Sequence, residues 1–395
     1  MSDLPFRESP APWQQWGTDI DDSAIQQIRN ACELPVAVRG ALMPDAHVGY
    51  GLPIGGVLAT DNAVIPYAVG VDIACRVKIT VFDLPATALE AEPDRFKTAI
   101  ARETQFGVGA TFKRRRDHAV MDADWSVSPV TARNKDRAWA QLGTSGSGNH
   151  FVEFGEFTNE CDLAGMPPGT RLALLSHSGS RGTGASVADH YSKLAAAARP
   201  ELPKHLQHLA WLGLDTDAGR EYWAAMSLMG LYAQSNHDCI HDHITAALGA
   251  TVLFRHENHH NFAWKETHDG RELVVHRKGA TPAGRGVLGI IPGSMATPTY
   301  LVEGLGNAAS LDSSSHGAGR VMSRTKAFKT LDDQAERGVV RARGVTVMSA
   351  SLDEMPAVYK DIDAVMRAQA DLVAPLARFF PRLVKMAPRG ERAED

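Results

Sequence analysis

Apolar residues run through this chain in short bursts separated by glycine, and the period of the bursts changes from place to place. The apolar, glycine-rich stretches around Val48 to Val57 and Val64 to Val71 predict short buried strands punctuated by tight turns. In RLALLSHSGSRG (171 to 182), the LALL segment predicts a strand running into a loop that carries His177 and Arg181. The alanine content and apolar spacing of Ala185 to Arg199 and of Ala218 to Ala247 predict helices, and Ala357 to Phe380 reads as another long one. TVLFRHENHHNFAW starts like a strand and ends in a histidine cluster, with RELVVHRKGA as its hairpin partner. Strands and helices mix without a regular βαβ rhythm, which predicts an α+β fold rather than a doubly wound sheet. No internal repeat and no low-complexity linker divides the chain, and chemically suggestive residues are spread from position 45 to position 390. The expectation is one interwoven catalytic domain over residues 1–395, with mixed sheets and surrounding helices.

Composition narrows the class. At 395 residues, 44% hydrophobic and 22% charged, the chain can bury a large core and reads as soluble. No apolar run approaches the roughly 18 residues of a membrane span. The start, MSDLPFRESPAPWQQW, lacks the basic head and apolar centre of a signal peptide, so a cytoplasmic protein without a membrane partner is expected. Cys32, Cys75, Cys161 and Cys239 are widely spaced with no CxxC pair, which suggests neither a disulfide framework nor a zinc finger. A net charge of −5 argues against a generally basic nucleic-acid coat, so any such site is local. The densest positive stretch is Lys113-Arg114-Arg115-Arg116, which suits either a phosphate backbone or a solvated loop.

Six segments set Asp, His or Cys beside Gly, Asn or Ser: PDAHVG, VDIACR, GSGNHFVE, SHSGSRG, ENHHNF and SSSHGAGR. Asp72 and Cys75 lie three apart after an apolar run, a spacing at which both side chains can face one ion. A thiolate can bridge two metals, and imidazoles suit borderline divalent ions such as manganese or zinc. His150, His177 and His260 have Asn149, Ser176 and Asn261 as direct neighbours, which leaves room for a metal to approach. Taken singly, His177 also reads as a satisfied core histidine and Cys75 as a plain buried thiol. In SSSHGAGR, small hydroxyls and glycines would let the backbone approach a phosphate beside His316; the other reading is an exposed Ser/Gly loop. His118, His237, His241 and His243 receive no role.

Together these segments resemble the RtcB family of RNA-splicing ligases. The resemblance runs from about MPDAHVGYGLPIGGV (43 to 57) to YKDIDAVMRAQADLV (359 to 373) and includes VGVDIACR, LGTSGSGNHFVE, LLSHSGSRG, HHN, RKGA, IIPGSM, GLGN and SHGAGRVMSRTKA. It implies that Asp72, Cys75, His150, His177 and His260 hold two manganese ions, with Cys75 bridging, and that His316 is guanylylated. Asn149, Glu153, Asn261, the Pro292-Gly293-Ser294-Met295 loop, Gly317, Ala318, Gly319, Arg320 and Tyr359 match positions that hold the guanine nucleotide. GTP would be the co-substrate, and RNA 3′-phosphate or 2′,3′-cyclic phosphate ends would be joined to 5′-hydroxyl ends.

Three places depart from the family pattern. Ala296 and Thr299 stand where members usually have glycine and serine, and Asn236-His237 replaces a common Asn-Arg pair. The usual C-terminal Lys-Gly is represented by Arg389-Gly390 or by Lys385, of which Arg389 is taken as the guanine contact. The competing reading is a dimetal phosphoesterase acting on RNA ends without ligation. A third is a non-catalytic RNA-end binder, against which the full set of metal residues and His316 weighs.

Overall fold

The computed structural model describes residues 7 and 9–391 of the chain. Its architecture is α+β, as the mixed pattern predicts, built on two main sheets with two further strand pairs. The smaller runs in the order Trp13–Gln15, Ala37–His47, Ile54–Thr60, Arg271–Lys278, Asn261–His268, all antiparallel except the first pair. The larger runs Leu288–Ile291, Thr299–Gly304, Val373–Met386, Phe151–Asn159, Gly169–Ser178, Arg76–Phe82, Val252–His259, with Thr346–Ser349 laid parallel on Val373–Met386. Its two edge strands are bridged by side chains. Asn258 Oδ1 accepts from Ile290 N at 2.9 Å and the His256 ring meets Leu288 O at 3.0 Å, so the sheet nearly closes on itself. That protects backbone groups an open edge would leave bare.

Arg76–Phe82 is buried along its whole length, and its side chains alternate. Val77, Ile79 and Val81 join Phe157, Leu175 and Phe379 in one apolar core. Arg76, Lys78 and Thr80 meet Gly230, Asp238 and His241 of the helix Asp217–Leu248. This helix is capped by the Thr216 side chain and ended by Gly249 at φ +58°. It lies within one residue of the expected bounds at both ends, and the helix Arg181–Ala198 starts four residues early and ends one early. Among the described residues no helix is long and apolar enough to cross a membrane.

Four local expectations are corrected. Residues 48–53 form a turn and the strand starts only at Ile54. After Ala63–Val64 the chain enters the short helix Pro66–Val69, because proline suits the first helical position and Gly70, at φ +107°, ends it. The long helix expected over Ala357 to Phe380 divides into Ile362–Ala368 and the strand Val373–Met386. There, pairing on both sides with Thr299–Gly304 and Phe151–Asn159 overrides local helix propensity. Finally, His177 sits on the strand Gly169–Ser178 rather than in the loop after it, and Arg181 opens the next helix.

One buried histidine ties the smaller sheet to the approach to Asp72. His276, fully buried, faces Leu58 O with Nδ1 at 3.1 Å and accepts from Ile65 N with Nε2 at 2.9 Å, an arrangement that fits the neutral ring. Burial pulls its pKa down to about 4. The unfolded chain takes this proton near pH 6.5, so the contribution present above that pH is lost as pH falls towards 4, up to about 3 kcal/mol. His276→Gln should therefore be less stable at pH 7 yet lose less stability than the parent between pH 7 and 5 in urea titrations. Parallel losses in the two proteins would assign the acid sensitivity to other groups.

Candidate active site

The chain crosses from the larger sheet to the smaller in one residue, His260, between Val252–His259 and Asn261–His268. Beside this crossing lies a cavity of about 240 Å³. Asp72 and Cys75 reach it from the turn before Arg76–Phe82, where Ala74 adopts φ +57° and Cys75 N donates to Asp72 O at 3.2 Å. Asn261 braces the turn: its O accepts from Ala74 N at 2.6 Å and its Nδ2 donates to Asp72 O at 3.2 Å. His150 immediately precedes Phe151–Asn159, and the ladder sets His177 opposite both Phe151 and Val77. Five side chains far apart in sequence thus converge. Cys75 Sγ lies 3.1 Å from His177 Nε2 and 3.3 Å from His150 Nε2, His177 Nε2 lies 3.2 Å from His260 Nε2, and Asp72 Oδ2 lies 3.1 Å from His150 Nε2.

The surroundings suit these groups to a divalent cation. Asn149 O lies 3.1 Å from His177 Nδ1 and can only accept, so Nδ1 carries the hydrogen and bare Nε2 turns into the cavity. Burial and the neighbouring His150 hold the His177 pKa down to about 3, and burial puts His260 well below the usual range. Both rings stay neutral, the form that ligates metal. Ser180 N donates to Asp72 Oδ1 at 3.0 Å, leaving Oδ2 towards His150. Burial pushes the Asp72 carboxyl up, but His150 and the Arg181 guanidinium outweigh it and hold the pKa at about 2. The ligand atoms of Cys75, His150 and His177 all lie within 4.8 Å of one another, and His260 Nδ1 has no partner among the described residues. Sulfur, nitrogen and carboxylate oxygen together suit manganese, zinc or cobalt.

His316 approaches from the other side. Its three preceding serines form neither a phosphate loop nor an exposed one: Ser313–Ser315 is a buried strand paired with Ala280–Pro282. Serine is small enough to be enclosed there, and Arg277 clamps the strand by donating to Ser313 Oγ and Leu311 O, both at 2.8 Å. The His316 Nδ1 lies 2.7 Å from Oδ2 of fully buried Asp45, and the His316 backbone N–H donates to the same oxygen at 3.2 Å. A carboxylate on Nδ1 leaves Nε2 as the nitrogen without a hydrogen. Gly319, at φ +75°, passes so close to the Asp45 backbone that a Cβ would collide with it. The His316 and His260 ring centres are 4.9 Å apart, which joins this histidine to the metal-type cluster.

All the other expected nucleotide residues except one line the same cavity: Asn149, Glu153, Asn261, Pro292 to Met295, Gly317 to Arg320 and Tyr359. Burial raises Glu153 well above the usual carboxyl range and does the same for the Tyr359 phenol, whose OH donates to Glu354. Thr299 lies at the wall, and Thr297 Oγ1 closes the Ser294 turn at 2.6 Å from Ser294 N. Arg389 is the exception, exposed in the turn after the last strand. Lys385 is also elsewhere, over the Phe106 ring at 5.0 Å, because strand alternation gives the cavity to Val384 and Met386.

Sequence reading passed over four residues. Asp45 stood in PDAHVG without a role. Lys278 of RKGA lines the cavity, donates to Tyr50 O at 2.6 Å and is drawn by burial to a pKa of about 7. Glu354 accepts from Arg320 and Arg324. Asn236 braces the loop leading to His150, accepting from Gly143 N at 2.7 Å and donating to Thr144 O at 3.0 Å. A glycine-flanked polar motif was the available signal for the first two; nothing local marked the others.

The cluster is a candidate metal site, and comparison with known proteins supplies the class of the chain, an RNA ligase. The family model described as "tRNA-splicing ligase RtcB" matches residues 27–128 and 116–386. The RNA-splicing ligase RtcB of Escherichia coli (strain K12) is 36% identical over 412 residues, covering 92% of this chain and 94% of that protein. The Mycobacterium tuberculosis RNA-splicing ligase RtcB is 32% identical, covering 90% and 98%. The Methanococcus maripaludis tRNA-splicing ligase RtcB is 30% identical, covering 94% and 92%. The chain belongs to the RtcB family.

A cobalt titration tests the cluster without reference to activity. Added Co2+ should produce thiolate-to-metal absorption in the near ultraviolet, and Cys75→Ala should abolish that band while leaving the far-ultraviolet circular dichroism unchanged. A band that persists in Cys75→Ala would place the sulfur ligand at another cysteine.

Proposed function

We propose that this RNA ligase joins RNA 3′-phosphate or 2′,3′-cyclic phosphate ends to 5′-hydroxyl ends through a GMP carried on His316, working as one interwoven catalytic domain with two manganese ions and GTP. The observation that carries the reading is the His316–Asp45 pair at 2.7 Å beside the cysteine–histidine cluster. A phosphoesterase needs the cluster but has no use for a second, separately oriented imidazole.

Asp72, Cys75, His150, His177 and His260 are the residues that would hold the metal ions. When bound, such ions neutralise phosphate oxygens and lower the cost of attack on phosphorus. Asp45 keeps the His316 Nδ1 hydrogen in place, so neutral Nε2 attacks the α-phosphorus of GTP. A phosphorus–nitrogen bond forms, the bond to the β-phosphate oxygen breaks, and pyrophosphate leaves. The positive charge that develops on the ring is stabilised by the buried Asp45 carboxylate. Attack by an RNA 3′-phosphate oxygen then breaks the phosphorus–nitrogen bond and moves GMP to the RNA. The 5′-hydroxyl finally attacks the activated 3′-phosphate, forms the phosphodiester and releases GMP; a cyclic phosphate is first opened by addition of water. Lys278 in its protonated form and the Arg320 guanidinium are the cationic donors at the cavity wall for the phosphates. Glu153, buried, and Tyr359, half-buried, offer a polar partner and an aromatic face to the guanine base.

The reading is tested with GTP labelled at the α-phosphate. With Mn2+ present, the protein should take up acid-labile label, and His316→Ala should take up none. Asp45→Ala should keep the cobalt band of the parent while its labelling rate falls on the order of 100-fold, the usual worth of a positioned acid–base partner. Metal-loaded protein that takes no label yet removes a terminal phosphate from RNA would sink the ligase scheme and establish the phosphoesterase.

A further inference from the structure

The Lys113–Arg116 run divides into one structural cation and three outward ones. Arg116 is buried, stacked 4.0 Å from the Phe112 ring, and donates to Glu103 O at 2.5 Å and Cys239 O at 3.3 Å. The loop is pinned to the helix Pro129–Gln141 by Trp139 Nε1 donating to Arg116 O at 2.8 Å and by Phe112 N donating to Ala140 O at 3.0 Å. Lys113, Arg114 and Arg115 are therefore exposed on a fixed support. Arg115 lies 5.1 Å from the Trp139 ring and 3.3 Å from the exposed Asp136 carboxylate.

The helix Pro129–Gln141 also links this loop to the segment beside the metal-type cluster, through Arg137, Gly182 and the buried Arg181. Arg137 donates to Gly182 O and, at 2.7 Å, to Ser186 Oγ. The preceding residue, Arg181, lies 3.0 Å from Nδ1 of His150 with its guanidinium. One turn before Arg137, Arg133 opens onto a groove between the two helices that also contains Asn134, His190 and Lys193. Asp189 lies in this groove and is held by Lys193 at 2.8 Å, so that pair adds little net charge. Among the described residues Lys113, Arg114 and Arg133 have no carboxylate partner, in a chain whose net charge is −5. An excess of cations over the Asp136 and Asp189 carboxylates on one face of an acidic protein fits a polyanion.

We propose that this face, made by the Lys113–Arg115 loop and the groove between Pro129–Gln141 and Arg181–Ala198, binds the ribose-phosphate backbone of the RNA strand whose end enters the active site. The proposal rests on the ligase reading for its choice of polyanion. Proximity to His150, one buried residue (Arg181) beyond the Gly182 that Arg137 holds, favours RNA, since the strand's terminal phosphate must reach the cluster while the adjoining phosphates lie along the surface. The tryptophan beside Arg115 adds the cation and aromatic pairing that single strands use. Contacts of this kind are to phosphate and carry no sequence preference.

Fluorescence anisotropy of a labelled single-stranded RNA bearing a 3′-phosphate, measured with the full chain at several salt concentrations, tests it. Arg114→Gln with Arg133→Gln should weaken binding about tenfold or more at low salt and flatten the log–log salt dependence by about 0.7 per lost phosphate contact. GTP labelling of the same variant without RNA should match the parent, and Arg220→Gln, at the exposed start of another helix, should bind RNA as the parent does. Unchanged RNA affinity and salt slope in the double variant would overturn the proposal, as would a loss of affinity for a polyglutamate peptide equal to the loss for RNA. If the parent takes no GTP label but the variant still loses RNA binding and salt slope, the surface stands and the ligase scheme falls.

Discussion

Burying a carboxylate, a thiol and three imidazoles within hydrogen-bond distance of one another is the constraint to which the rest of the structure is fitted. Unlike groups of this kind are costly to desolvate unless each has a defined protonation state and a partner. The surrounding backbone and side chains provide both. Asn149 O holds the hydrogen of His177, Ser180 N takes one oxygen of Asp72, and His150 with Arg181 keeps that carboxyl charged. Asn261 closes the turn from which Asp72 and Cys75 project and also accepts from Gly279 N at 2.8 Å.

Two separate frameworks meet at this point. Asp72, Cys75, His150 and His177 are carried by or beside neighbouring strands of the larger sheet, whose register sets their mutual distances. His316 belongs to the other side: its Asp45 partner stands on Ala37–His47 of the smaller sheet, and its own strand is clamped by Arg277. Arg277 is itself fully buried, doubly bonded to Glu266 at 2.6 and 3.0 Å and set over the Trp264 ring at 4.8 Å. The separation of His316 from the cluster is therefore set by the single-residue crossing at His260 rather than by any local segment.

Behind the cluster lies a layer of buried histidines. His237, fully buried on the long helix, is stacked on His241, while Ser176 Oγ meets both rings at 3.4 and 2.9 Å. Burial holds both histidines well below the usual range, so the layer under the ligand strand is uncharged at these positions. Neighbouring charge is instead confined to pairs such as Lys78 with Asp238 and Arg76 with Glu257 at 3.0 Å. At the C-terminal end, apolar Val384 and Met386 occupy the cavity wall.

The α+β class, the two long helices and the group of ligand-type residues were all legible in the sequence, because each depends on local pattern or on residue chemistry beside glycine and asparagine. The motifs also carried the family and thereby the set of cavity residues. Strand membership was not legible where context decides it: Val373–Met386 reads as helix until two neighbouring strands claim it, and Ser313–Ser315 reads as a loop until the Ala280–Pro282 strand and Arg277 enclose it. Asp45 could not be assigned, since its value lies in a 2.7 Å contact with a residue 271 positions away. The same holds for the displaced Arg389 and Lys385, whose places are fixed by strand alternation and chain exit. The sequence by itself determined which chemistry was present. Only the tertiary structure decided which side chains meet, because the distances are set by strand register and by the crossing between two sheets, and both are long-range properties of the folded chain.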